Sequence, residues 1–128
     1  MAELEQAAGA AVRAVLESYI DATFRADVAR LKAIFHPAAT MAGYLGGELV
    51  IGTPEPFFGD LQRHPSMAAD NVAYRADVRD IRASGRIASA TVYESGFFGS
   101  ARILNFFTLV KVGDSWQIVS KTFETLSP

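Results

Sequence analysis

RILNFFTLVKV, from Arg102 to Val112, is the longest run of strand-forming residues in the chain, and it carries the most topological information. Phe106 and Phe107 are adjacent, so in a strand they point to opposite faces of the sheet, and both faces then need cover. Working outward, Gly113-Asp114 turns this strand into a last one from Trp116 to Phe123. On the other side, Gly96 and Gly99 bracket a turn around Phe97 and Phe98, preceded by a strand from Ile87 to Tyr93. Before the Ser84-Gly85 turn, Val72, Tyr74, Ala76 and Val78 alternate with Ala73, Arg75, Asp77 and Arg79 at period two. The second half of the chain is therefore expected to form four antiparallel strands in a meander. The charges at 75, 77 and 79 read as a solvated ladder of cross-strand pairs.

The first half has helical spacing. Ala8, Val12, Val15, Leu16, Tyr19, Ile20 and Phe24 recur at three and four, with Arg13, Glu17 and Asp21 on the other face. Asp27 reads as the N-cap of a second helix with buried stripe Val28, Leu31, Ile34 and Phe35, ended by Pro37. Thr40 to Leu45 and Glu48 to Ile51 form a hairpin through Gly46-Gly47. Thr53 caps a third helix with Pro54 at its first position; the helix carries Phe57, Phe58 and Leu61 and closes at His64-Pro65. Three helices with an early hairpin, followed by a meander, predict an α+β domain. The helices cover one sheet face, and a second copy of the chain is expected on the other, as a twofold homodimer through the sheet.

At 128 residues the chain is expected to be one domain, spanning 1–128. Twelve Lys and Arg against 14 Asp and Glu leave no basic footprint for a nucleic-acid partner. Cysteine is absent, which excludes disulfides and thiolate chemistry. Half the residues are hydrophobic, too many for a disordered chain, yet no uncharged run has the length for a membrane helix. The opening MAELEQ has acids where a signal peptide needs basic residues, so the expected location is cytoplasmic.

The stretches IFHPAATMAGYLGGELVIG, from Ile34 to Gly52, and FFTLVKVGDSWQIVSKTFE, from Phe106 to Glu124, resemble the nuclear transport factor 2-like superfamily. Within it the chain is similar to the lumazine-binding, polyketide-cyclase-like branch. That resemblance implies a cone-shaped fold, with three N-terminal helices packed on a strongly curved, mainly antiparallel sheet around a pocket. In ketosteroid-isomerase members a tyrosine and a protonated aspartic acid donate hydrogen bonds to a substrate oxygen; the resemblance places Tyr19 and Asn105 there. It places Gly43 where those enzymes carry a carboxylate base, and glycine takes no proton. His36 is the expected substitute as proton carrier, while Glu48, Asp60 and Glu94 are acids that spacing does not single out.

Alternation along the last strand groups Val119, Lys121 and Phe123 against Trp116, Ile118, Ser120 and Thr122. The resemblance directs the first set into the cone, where Lys121 either holds an anionic or carbonyl group or snorkels to the rim. With Phe35, Tyr44, Phe58, Phe107 and Phe123 converging on it, the cavity would suit a flat, largely apolar ligand, although each aromatic residue alone also reads as packing. The expectation is a domain that binds a small molecule without turnover. The alternative is an isomerase, cyclase or dehydratase using Tyr19, Asn105 and His36. His36 and His64 stand alone, with no ligand-spaced partner, so neither metal nor cofactor is expected.

Overall fold

A computed structural model describes residues 2–128 of the chain. In order, the elements are α1 (Ala2–Arg25), α2 (Val28–Ile34), β1 (Phe35–Leu45), β2 (Glu48–Gly52), α3 (Glu55–Arg63), β3 (Arg75–Ser84), β4 (Ile87–Phe97), β5 (Ala101–Val112) and β6 (Ser115–Ser127). The strands form a single sheet ordered β2-β1-β6-β5-β4-β3. All its pairs are antiparallel except β1 with β6. The expected α+β class, hairpin and meander are all present.

α1 buries the stripe Val12, Leu16, Tyr19 and Ala22 against the sheet. Asp27 caps α2 as expected, its carboxylate accepting from the Arg30 amide at 3.2 Å. The Arg30 guanidinium then ties α2 back to α1, donating to Asp21 at 2.6 Å and to the Ser18 hydroxyl at 3.1 Å. Alternating β5 residues Ile103, Asn105, Phe107 and Leu109 are buried beneath the helices, while Phe106 on the opposite face is 57% exposed.

Four expectations need correction. The second helix ends at Ile34, and Phe35 opens β1 instead of closing a helical stripe. Pro37 sits within that strand, where the β1–β6 register shifts between Phe35 and Thr40, so no ladder bond is required of the missing amide. Pro54 is the N-cap of α3 and not its first residue, although the Thr53 hydroxyl still accepts from the Glu55 amide at 3.3 Å. The strand expected from Val72 begins at Arg75. The fourth correction positions the site. Thr108 pairs with Ser120 and Leu109 with Ile118, so Val119 is an extra residue in β6. This bulge breaks the two-residue alternation. Trp116 and Ile118 before it, and Lys121 after it, are consequently all buried on the inner face, where simple alternation had put them on opposite faces.

Candidate ligand-binding cavity

Beneath α3, between the ends of β1 and β6 and the edge of β4, lies a cavity of about 500 Å³. Phe57 and Leu61 of α3, Met41 of β1, Ile103 of β5 and Phe123 of β6 supply most of its apolar wall, with Phe97 and Phe98 closing one side. Two buried charged residues open into it, Glu94 at 1% exposure and Lys121 at 5%. Asp60 and His64 stand at its α3 edge.

Lys121 reaches this place because of the bulge at Val119. Its ammonium lies 4.2 Å from the Phe57 ring centroid, 5.3 Å from Tyr19 and 5.6 Å from Phe123. Ring faces attract a cation and offset part of its lost hydration. Among the described residues Lys121 has no hydrogen bond and no ion pair. Burial lowers its pKa from 10.5 to about 8, against the charge of Glu94, which acts in the opposite direction.

Glu94 continues the inward series Ala88, Ala90 and Val92 of β4. Its carboxylate is held on two sides: the Tyr74 hydroxyl donates to Oε2 at 2.6 Å, and Asn105 Nδ2 donates to Oε1 at 2.6 Å. Asn105 Nδ2 also donates to the Val92 carbonyl at 3.1 Å. Both amide hydrogens are therefore in use, and only Oδ1 is left without a partner. Tyr19 is fully buried, packed edge-on against Phe107 at 5.0 Å between centroids, with its hydroxyl beside that of Thr23. Desolvation, with the Glu94 charge second, raises its pKa well above 10, so it remains a neutral phenol.

The structure brings only some of the expected residues together. Lys121 and Phe123 line the cavity. Tyr19, Asn105 and Phe107 form the buried layer behind it and do not line it. The expected donor pair of Tyr19 and Asn105 is not formed, because the Asn105 amide is turned onto Glu94 and Val92. Phe35 and Phe58 pack edge-on at 5.5 Å and line a separate surface depression with His36 and Pro54. His36, expected to move a proton, lies in β1 with Nδ1 accepting from the Ala38 amide at 2.9 Å. Tyr44 is 44% exposed: Gly43 pairs with Phe123, whose ring faces the cavity, so its neighbour in β1 faces outward.

Phe57 was not among the expected ligand contacts, and Glu94 was expected only as one of several acids that spacing did not single out. For Glu94 the signal was present, since the apolar alternation at 88, 90 and 92 extends by one step to 94. Among the described residues no three histidine or acidic side chains gather where they could share a metal ion. Among the described residues no helix is long and apolar enough to cross a membrane.

A helix-covered, bulged sheet with one end opening onto a mixed apolar and charged cavity defines an NTF2-like domain. The family model described as "Putative lumazine-binding" matches residues 7–124, and the chain belongs to that family. Among solved structures, an NTF2-like protein of unknown function from Silicibacter pomeroyi DSS-3 is 26% identical, with a TM-score of 0.80 over 91% of this chain and 93% of the other. A second, from Shewanella baltica OS155, is 28% identical with a TM-score of 0.79 over 92% and 93%. A ketosteroid isomerase-like protein from Erwinia carotovora atroseptica shares the fold at 17% identity, with a TM-score of 0.66 over 93% and 96%. No curated protein matches the sequence significantly.

Proposed function

We propose that the protein binds a flat, mainly apolar small molecule with an oxygen-rich or anionic head group, placing the head on Lys121 and the body between Phe57 and Phe123. The carrying observation is a buried ammonium with ring faces for neighbours and, among the described residues, no anion paired to it, opening onto a cavity of about 500 Å³. An anion entering there meets a desolvated donor, which strengthens the charge-assisted bond. Glu94, on another wall, accepts from an N–H or O–H of the same ligand. The family description makes pterin-like rings the first compounds to try, followed by flavins, steroids and aromatic acids.

An isomerase-type reaction through Tyr19, Asn105 and His36 lacks support from the geometry, since His36 is bonded to its own strand and Asn105 has no free donor. We also retain a homodimer through the outer sheet face. Its centre, around Thr91, Phe106, Thr108 and Thr122, is uncharged, so an isologous contact would bring no like charges together.

Thermal-shift measurements and native mass spectrometry against that panel test the binding reading. A ligand at one hundred times its Kd adds about 2.7 kcal/mol, enough to raise the melting temperature by several degrees. Acidic members should lose most of their shift on Lys121→Met. A panel in which nothing binds would overturn the proposal.

A further inference from the structure

We propose that Lys121 is also an amine nucleophile, capturing an aldehyde or ketone in the cavity as a Schiff base, with Glu94 carrying the protons. The inference rests on the reading above that the cavity admits a flat apolar molecule, and it adds a covalent activity to it.

Geometry supplies three requirements. First, a lysine held in an ion pair has its nitrogen blocked, whereas Lys121 makes no ion pair or hydrogen bond among the described residues and opens into the cavity. Second, the cage of Phe57, Tyr19 and Phe123 that faces the ammonium would face a protonated imine equally well, so the product keeps its cation–π contacts. Third, Glu94 opens into the same space and is fixed by Tyr74 and Asn105, so a carboxylate stands ready on a second wall. A predominantly apolar wall limits the water that would hydrolyse the product. Because the Lys121 pKa is about 8, a usable fraction is the neutral amine at ordinary pH.

The condensation balances without an oxidant or reductant. The nitrogen lone pair forms a bond to the carbonyl carbon while the C=O π pair moves to oxygen, and Glu94 carries a proton from nitrogen to that oxygen. The carbinolamine then closes its C=N bond as the C–O bond breaks. Glu94 carries the second nitrogen-bound proton to the departing oxygen, which leaves as water, and the neutral imine so formed takes up one proton from solvent to become the protonated imine that the rings face. The titratable groups facing Lys121 are Glu94 from β4, the Tyr19 phenol from α1, and Asp60 and His64 at the α3 edge; β1 contributes Met41 and β5 Phe107, which do not titrate.

The test uses 2-naphthaldehyde with cyanoborohydride trapping, intact-mass measurement and peptide mapping. The chain has three lysines, Lys32, Lys111 and Lys121, and the first and second are exposed, which makes the mapping unambiguous. The expected result is an adduct on Lys121 formed at least tenfold faster than on Lys32 or Lys111, with a rate that rises to a midpoint near pH 8. It should be lost in Lys121→Met, slowed at least tenfold in Glu94→Gln, and blocked in the unaltered protein by 2-naphthoic acid, which cannot condense. Labelling of Lys32 and Lys111 with Lys121 spared would overturn the covalent step. If 2-naphthoic acid nevertheless binds and Lys121→Met weakens it, the binding reading survives alone; if neither compound binds, both readings fall.

Discussion

Lys121 is the residue at which the fold and the cavity conflict most. A drop in pKa from 10.5 to about 8 corresponds to about 3 kcal/mol of folding free energy forgone while the side chain is protonated in both states. The sign follows from proton counting. Between pH 8 and 10.5 the unfolded chain holds the proton and the folded chain has released it, so stability rises with pH across that window; below pH 8 the full penalty applies. Lys121→Met keeps the packing volume and removes the charge, so it should be at least as stable as the parent at pH 7. Urea unfolding of both proteins at pH 7 and pH 9.5 checks this: the parent should gain on the variant at the higher pH. A loss of several kcal/mol in the variant at pH 7 would mean that Lys121 is a paired buried ion after all. Comparing the two proteins cancels the opposing effect of Tyr19 and Tyr74, whose raised pKa values favour unfolding once tyrosines ionise in the unfolded chain.

At the scale of elements, the parallel contact between β1 and β6 determines what chemistry the cavity can hold. Gly43 pairs with Phe123, and a Cβ at Gly43 would collide with the Phe123 carbonyl oxygen and come within 2.7 Å of its ring. The absence of a carboxylate base at this position is thus a packing requirement: no side chain fits unless β6 moves. Gly43→Ala should cost about 1–3 kcal/mol or more, read as a lowered melting temperature. Gly47→Ala, where the added carbon meets nothing within 4 Å, should be close to neutral. Equal melting temperatures for the two variants would show that β1 and β6 are looser than the pairing implies. The Glu94 position depends on the same level of organisation, since Tyr74 precedes β3 and Asn105 lies on β5, and the carboxylate is fixed only when both reach β4.

For the whole molecule, the helices protect one sheet face and leave Phe106, Tyr44 and Ile87 exposed on the rest of the surface. Burying the central part of that outer face against a second copy gives the proposed twofold dimer. Sedimentation should give a species of twice 13.8 kDa at micromolar concentration. Phe106→Asp, which places a charge at the centre of the proposed contact, should sediment as a monomer with ligand binding retained. A parent that sediments as a monomer would remove the dimer. Phe106 is 57% exposed in the single chain, so the substitution should disturb the protomer fold little.

The helices, the hairpin and the meander were legible in the order of residues, because apolar spacing at 3.6 or 2 residues is a local property carried by consecutive side chains. The family resemblance placed Gly43 where related enzymes carry a base and directed Val119, Lys121 and Phe123 inward, of which the last two line the cavity. Tertiary structure alone decided the parallel β1–β6 pairing, the bulge at Val119, and the turning of Asn105 onto Glu94. A bulge leaves the residue types of a strand unchanged and shifts only which of them face the core, so periodicity carried past Val119 put Trp116 and Lys121 on opposite faces. Where that shift occurs is set by contacts between residues far apart in the chain. The bonds that hold Glu94, from Tyr74 and Asn105, have the same long-range origin.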